Sequence, residues 1–522
     1  MKKLPIGIST LEKIRADDYI YIDKTHHVAQ LVNSGTEYFF LSRPRRFGKS
    51  LLLDTLKQAF LGNKDAFKGL YLEKNWDWSV QYPVIHFDFG VGVIKSLAEL
   101  EALMHAFMDE YFRLHDIQSA YDDSINNRFS YLINQIQMKH KQKVVVLIDE
   151  YDKPILDNIL NLEVATQVRE GLKNLYSVLK TKDSILKFVF LTGVSKFSKV
   201  SLFSGLNNLD DISLDPRYAD ICGYTQSEME NEFSEYLIDG SVDKVKLKQW
   251  YNGYNFSGLE SQKVYNPFDV LLFCSKGYRY KNYWFETATP TFLIKLLQKK
   301  QHYIPKLESF RVTDESLSSF DIDNIPLQTL LFQTGYLTID KPKQIGNQYG
   351  YVLTYPNLEV KSSLNSHLMQ LGSSTEQKNE TLTSIVENID ELTFDGLKDN
   401  FNAHFSSIPH DWYRNNPMGQ YEGFYAGIIY SCFAALGYDL TAEDTTSTGR
   451  IDLTIQMPDK ILIIEFKLAK YGSADDAIKQ ILDKKYADKF KSDKRPVYLI
   501  GMSFDDKTKI MADIKWCDFD TV

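Results

Sequence analysis

Cysteine is scarce in this chain: four in 522 residues, with Cys222, Cys274, Cys432 and Cys517 far apart and no C-x-x-C pair. That argues against a zinc framework or a disulfide-stapled scaffold and makes a reducing cytoplasm the expected compartment. No uncharged run approaches the roughly 18 residues that a membrane helix needs. The opening MKKLPIGISTLEKIRADD has two leading lysines but only a short, interrupted apolar stretch, a poor secretory signal. No membrane partner is therefore expected. Positive charge is not in excess either. The net charge of −9 gives no general attraction to nucleic acid, so a polyanion partner must be held by a local basic patch or by metal ions. Internal repeats and low-complexity tracts are also missing.

What is present fits a folded, multi-domain chain. A hydrophobic fraction of 43% and a charged fraction of 25% are those of a globular protein, and 32 Tyr with 32 Phe argue against long disordered regions. The length suggests two to four domains. Up to about residue 215, short apolar strands (37–41, 83–87, 143–148, 187–191) alternate with longer amphipathic helices, which predicts a parallel sheet covered by helices. The runs VVVLI and KFVFL are apolar on both faces, as central strands are. From about 222 to 300 helix signals and aromatics dominate, a helical lid. The stretch from Ile325 to Leu364 reads as helix, glycine break, strand, turn, strand and helix, compatible with a winged-helix module or with an incidental hairpin. A polar stretch from 372 joins two domains, and the chain after about 400 reads helix, strand, strand, helix, strand.

Two constellations carry chemistry. The first begins at SRPRRFGKSLLL, residues 42–53, which follows the strand-like Tyr38–Leu41. It ends as a phosphate-binding loop does, although Arg43 stands where the first glycine is usual. In such a loop Gly48 lets the backbone approach phosphate, Lys49 reaches the β- and γ-phosphates and Ser50 offers a hydroxyl to magnesium. Arg46, Phe47 and Leu51 flank them and complete the cofactor-binding set. Residues 143–155, KVVVLIDEYDKPI, supply the second half: Asp149 to hold magnesium and Glu150 to polarise the attacking water. A third strand ends in Thr192-Gly193 with Ser195 beyond; Thr192 either senses the γ-phosphate or closes an ordinary strand turn. Arg43, Arg45 and Arg46 either add positive charge near the phosphates or pair with acids elsewhere.

YIYIDKT (19–25), FFLSRPRRFGKSLLL, VVVLIDEYDKPI and DICGYTQSEM together resemble the AAA-ATPase-like domain common in bacterial and archaeal genomes, over about residues 4–290. The resemblance implies an ATPase core followed by a helical lid, with ATP and Mg²⁺ as cofactors and RPRRFGKS as the family's own form of the loop. Arg217 in DPRYAD is either an arginine finger or a structural cation, the latter preferred.

The second constellation is TGRIDLTIQMPDKILIIEFKLAKYG, residues 448–472, two β-rich runs around a hairpin at 457–460. Glu465 and Lys467, two apart, share a strand face, and Asp452 on the neighbouring strand can point to the same place. Asp452 and Glu465 are hard oxygen ligands for one or two magnesium ions, and Lys467 can orient or deprotonate water. The alternative is a surface salt bridge, weakened by the apolar neighbours of ILIIEFK, where unpaired charge is costly. Upstream, an amphipathic helix through residues 418–439 can bring Glu422 to the metal. Downstream, residues 475–490 read as another helix with Gln480 and Lys484 on one face and Tyr486 nearby. This order resembles the PD-(D/E)XK nuclease superfamily over about residues 400–510. By position, Asp452, Glu465 and Lys467 match its catalytic set, Glu422 its helix acid, and Gln480 and Tyr486 its active-site helix. Gly449 and Arg450 form the lead-in, with Arg450 a candidate phosphate contact.

The expected fold class is therefore α/β. A P-loop NTPase parallel sheet (1–215) carries a helical lid (216–300), then a linking region compatible with a winged helix (301–375). A restriction-endonuclease-like α/β domain follows (376–522). The leading functional expectation is an ATPase fused to a Mg²⁺-dependent nuclease acting on nucleic acid, DNA foremost, with homo-oligomers allowed. The alternative is a nucleotide-switched binding or regulatory protein whose C-terminal domain does not cut.

Overall fold

Five short strands build the first sheet. The computed structural model describes residues 1–119, 124–196, 208–238, 242–259, 263–288, 304–318, 325–369, 375–407, 422–446 and 449–521. These fall into two compact units: one from within 1–292 and 309–357, the other from within 293–308 and 358–522.

In the first unit β1 (Tyr38–Ser42), β2 (Val84–Asp88), β3 (Val144–Asp149), β4 (Leu186–Gly193) and β5 (Asp210–Asp211) form one sheet in the order β2-β3-β4-β1-β5. Every pairing is parallel. Val144 to Ile148 are wholly buried, as strands covered on both faces must be. The helix Lys49–Phe60 turns Leu52, Leu53, Leu56, Ala59 and Phe60 inward, a 3–4 spacing that makes one apolar stripe. Ser96 and Asn161 accept backbone N–H bonds at the starts of Leu97–Leu114 and Leu162–Thr181. Because β4 lies between β1 and β3, the C-terminal ends of all three strands meet at one edge, where open α/β sheets bind ligands.

The lid region is helical, as expected: Gln226–Glu232 starts with a capping box of Thr225 and Glu228, followed by Lys244–Tyr251, Pro267–Ser275 and Tyr283–Ala288. Its core of Met229, Phe233, Leu247, Tyr251, Tyr265 and Val270 also takes in Ile20 and Ile22, the alternate residues of YIYIDKT.

A second, antiparallel sheet in this unit contains β6 (Phe310–Thr313), β7 (Thr338–Ile345) and β8 (Gln348–Thr354) in the order β6-β8-β7, with short helices Asp314–Ser318 and Leu327–Thr334 between β6 and β7. This order of strands and helices is compatible with the winged-helix module and equally with a hairpin packed on short helices. Seven of the eight residues of Leu327–Thr334 are buried, so this helix cannot enter a nucleic-acid groove as placed here. The Gln333 side chain accepts from the Lys196 N–H and donates to the Leu317 carbonyl. Gly335 follows at φ +91°, and a Cβ there would stand 2.7 Å from Pro44.

The second unit is a mixed sheet in the order β13-β12-β11-β10-β9, comprising β9 (Asp439–Thr445), β10 (Arg450–Gln456), β11 (Ile461–Leu468), β12 (Val497–Asp505) and β13 (Ile510–Asp518). Only β11 and β12 run parallel, joined through the helix Ala474–Asp483, a βαβ crossover. Ile461 and Ile463 face that helix, together with Ile481, Tyr486 and Leu499. Leu462, Ile464, Phe466 and Leu468 face the opposite core, with Phe401, Tyr425, Ile429 and Phe433.

Two local readings are corrected. The helix Glu422–Ala435 is buried on most sides rather than amphipathic, since Tyr425, Ile429, Tyr430, Cys432 and Phe433 are each at most 1% exposed. The predicted helix over 475–490 stops at Asp483; Lys485 takes a left-handed φ of +53°, and a 3₁₀ turn, Tyr486–Phe490, follows. The polar stretch from 372 becomes the helix Thr375–Asp390, which buries Ile385 and Ile389.

Candidate functional sites

The loop between β1 and the helix Lys49–Phe60 is fixed by its backbone conformation and by the bonds of Lys49. Gly48 is its last residue before the helix and has φ +98°, a conformation that costs an L-residue about 1–2 kcal/mol. Lys49 is 3% exposed; its Nζ donates to the carbonyls of Arg43 (3.2 Å) and Pro44 (3.3 Å) and lies 3.4 Å from Glu150 Oε1. Ser50 stands beside Asp149, whose carboxyl is pushed up to about 6 by burial and by neighbouring Glu150. Two hard oxygens so placed fit a magnesium ion, which Ser50 and Asp149 would hold.

Gly48, Lys49, Ser50 and Glu150 open on a cavity of about 450 Å³, whereas Asp149 is buried behind them and does not line it. Arg45, Arg46, Phe47 and Leu51 join them in the lining. Gly7, Ile8 and Tyr21 of the N-terminal segment, Ile221 to Tyr224, and Phe268 line it as well. A lining that combines cations and loop backbone with apolar side chains suits a nucleoside polyphosphate. YIYIDKT and DICGYTQSEM thus contribute Tyr21 and Ile221 to Tyr224 to the cavity, which only the alternation of the first and the glycine turn of the second signal in the sequence.

The three arginines of the loop part company. Arg43 is 1% exposed and points away from the cavity: it donates to the carbonyls of Ser42, Ser213 and Tyr218, and its guanidinium lies 4.1 Å from the Phe256 ring centroid. Burial pushes it down to about 10. It therefore serves the fold. Arg46, at φ +68°, lies over the Phe268 ring at 4.9 Å. Arg45 is exposed at the cavity.

Thr192 does not reach the cavity: it is wholly buried and its hydroxyl donates to the Leu41 carbonyl on β1. Ser195 is equally buried and is spent on Asp152, an acid the sequence reading passed over. Asp152 accepts from the Val194 N–H, the Ser195 N–H and the Ser195 hydroxyl, tying the end of β3 to the end of β4. Arg217 is exposed and chelated by Asp215, 2.5 Å away, the structural role preferred for it.

In the second unit, the alternation along β11 puts Glu465 and Lys467 on the face of Ile461 and Ile463. Glu465 is 2% exposed. Its Oε1 accepts from Gln480 and lies 3.5 Å from Lys467 Nζ, while Oε2 is buried with no hydrogen-bond partner among the described residues. Asp452 reaches the same place by a twist in β10: Ile451 faces one core and Leu453 the other, and the Asp452 carboxylate between them accepts the Phe466 N–H at 2.8 Å. Burial raises the pKa of both acids, and the charge of Asp452 raises Glu465 further. A buried, orphaned carboxylate oxygen beside a second carboxylate fits a divalent cation, which Asp452 and Glu465 would hold.

Tyr486 lies beside Gln480, and a Cβ on Gly449 would stand 2.7 Å from the Tyr486 hydroxyl. Arg450 turns outward to Glu443, 3.1 Å away, and is not part of the cluster. Lys484 caps the helix instead of extending its face. Glu422 begins the helix Glu422–Ala435; its side chain lies outside the described residues.

The two units thus present a P-loop nucleotide-site architecture and a cluster of the acid–acid–lysine type. Residues 5–203 match the family described as predicted AAA-ATPase, and residues 420–514 match the PD-(D/E)XK nuclease superfamily. Over 509 residues the chain is 48% identical to the uncharacterized protein in the vnfD 5' region of Azotobacter chroococcum mcd 1, covering 96% of each. It belongs to the family of that protein, an AAA-ATPase-like domain with a C-terminal PD-(D/E)XK nuclease-superfamily domain. Among solved structures, Cdc6p from Pyrobaculum aerophilum aligns with 68% of this chain and 98% of its own at 10% identity, with a TM-score of 0.29, too distant to carry an argument.

Proposed function

We propose that the first unit hydrolyses ATP and that the second cleaves nucleic-acid phosphodiester bonds, DNA foremost, with a divalent metal, nucleotide state gating or positioning the cut. The cytoplasm is the proposed compartment and a homo-oligomer the proposed assembly. The observation that carries the nuclease half is the orphaned Oε2 of Glu465 beside Asp452, Lys467 and Gln480. A carboxylate pair is kept in an apolar wall at a cost on the order of several kcal/mol unless something neutralises it. A bound divalent cation would supply that neutralisation and stabilise charge on the scissile phosphate. Within the chain, Lys467 would orient the attacking water and Gln480 would hold Glu465.

In the first unit Lys49 meets the phosphates once it leaves Glu150, and Glu150 is then free to accept a hydrogen bond from water. A cleavage assay on DNA and RNA with Mg²⁺ or Mn²⁺, with and without ATP, tests the reading. Glu465→Ala should abolish cutting and preserve ATP binding, whereas Lys49→Ala should lose ATP turnover. Retained nucleic-acid binding with no cleavage by the wild type would select the non-cutting regulatory reading instead.

A further inference from the structure

The cations around the nucleotide cavity are almost all neutralised in place. Lys24 is held by Glu228 at 2.6 Å and Asp220 at 3.7 Å, Lys49 by Glu150 at 3.4 Å, and Lys153 by Asp157 at 2.7 Å. Arg46 rests on the Phe268 ring. Arg45 alone of the lining cations makes no hydrogen bond, ion pair or ring contact among the described residues, yet it is exposed and lines the cavity. Its backbone is anything but loose: the Arg45 carbonyl accepts the Trp284 indole N–H at 3.1 Å, and Pro44 before it packs on Gly335. A side chain with no hydrogen bond or ion pair among the described residues, its charge felt by the buried Tyr336 hydroxyl, thus stands on a fixed stretch of loop, four residues before Lys49.

We propose that Arg45 is a catalytic residue whose guanidinium stabilises the transferring γ-phosphoryl group from within the same chain, as an arginine finger supplied by the phosphate loop itself. The proposal rests on reading the cavity as an ATP site. In the step it serves, a water oxygen bonds to the γ-phosphorus as the bond to the β–γ bridging oxygen breaks. The products are ADP and inorganic phosphate, and the water proton passes through Glu150 to the released phosphate. The guanidinium meets charge that spreads over the γ-oxygens and the bridge as the bond lengthens, which is where such a cation acts most strongly. Arg217, chelated by Asp215, has no comparable freedom.

The test uses the full chain: binding of a fluorescent ATP analogue and single-turnover hydrolysis of ATP, for wild type, Arg45→Ala, Arg45→Lys and Arg217→Ala. Arg45→Ala should bind the analogue nearly as wild type does and lose about 10³-fold in hydrolysis rate. Arg45→Lys should recover part of that rate, and Arg217→Ala should match wild type. The wild-type rate per chain should not change with protein concentration. Hydrolysis by Arg45→Ala at the wild-type rate overturns the proposal. So does an equal loss of binding and rate, which would make Arg45 a ground-state contact, and so does a rate per chain that climbs with concentration. A wild type that neither binds the analogue nor hydrolyses ATP overturns the ATP-site reading itself, a result distinct from all of these.

Discussion

Arg43 occupies the place of a glycine in the phosphate loop, and its side chain does what a glycine cannot: it bonds the loop from within to Ser213 and Tyr218. Arg43→Met would leave those buried carbonyls without their donor, costing on the order of 2–3 kcal/mol. Thermal denaturation should show the loss, and Arg43→Lys should recover only part of it, because an ammonium lacks the planar fork. The sequence could not sort the three arginines of the loop, because which one is buried depends on residues some 170 positions away. Asp152 was illegible for the same reason. Burial, reinforced by the Glu150 charge, raises its carboxyl from 3.8 to about 6. The folded chain therefore binds this proton more tightly than the unfolded one. The stability Asp152 contributes is present below the unfolded value and is lost as pH rises through the folded one. The melting-point difference between wild type and Asp152→Asn should accordingly shrink as pH is raised from about 4 to about 7. A constant difference would contradict the assignment.

At the scale of elements, periodicity was readable where a strand is apolar and misleading where it is not. β1, β3, β4, β10 and β11 were all legible as short apolar runs, and with them the positions of Lys49, Asp149, Asp452, Glu465 and Lys467. β9 was not: its inward positions are Leu440, Ala442 and Asp444, and Asp444 is buried through Lys489 and Thr454 rather than through an apolar neighbour. The end of the helix Ala474–Asp483 was missed because no glycine or proline marks it; Lys485 adopts the left-handed turn unaided. That turn brings Tyr486 back toward Gly449, whose missing Cβ leaves room for the hydroxyl. Gly449→Ala should therefore destabilise the chain by about 1–3 kcal/mol and slow cleavage by displacing Gln480. Adding Tyr486→Phe removes the atom that collides, so the double variant should melt above Gly449→Ala alone. Additive losses in that cycle would mean that the two residues do not meet.

For the molecule as a whole, an acidic chain with net charge −9 keeps its two candidate sites in different units, each built on its own sheet. Binding at one site stabilises the unit that holds it by RT ln(1 + [L]/Kd), about 2.7 kcal/mol at a hundredfold excess over Kd. Saturating MgATP should thus raise a melting transition of the wild type and of Glu465→Ala alike, and leave Lys49→Ala where it was. If nucleotide also gates the nuclease, linkage requires the converse: nucleic acid must change the affinity for ATP by the factor through which ATP changes the affinity for nucleic acid. Measuring both affinities on Glu465→Ala, which should hold its substrate without cutting it, closes that cycle. Two unequal factors would mean that more than one coupled equilibrium is being observed. Two factors of one would make the units neighbours in a single chain with no energetic exchange, and ATP turnover would then have to act through motion rather than through affinity.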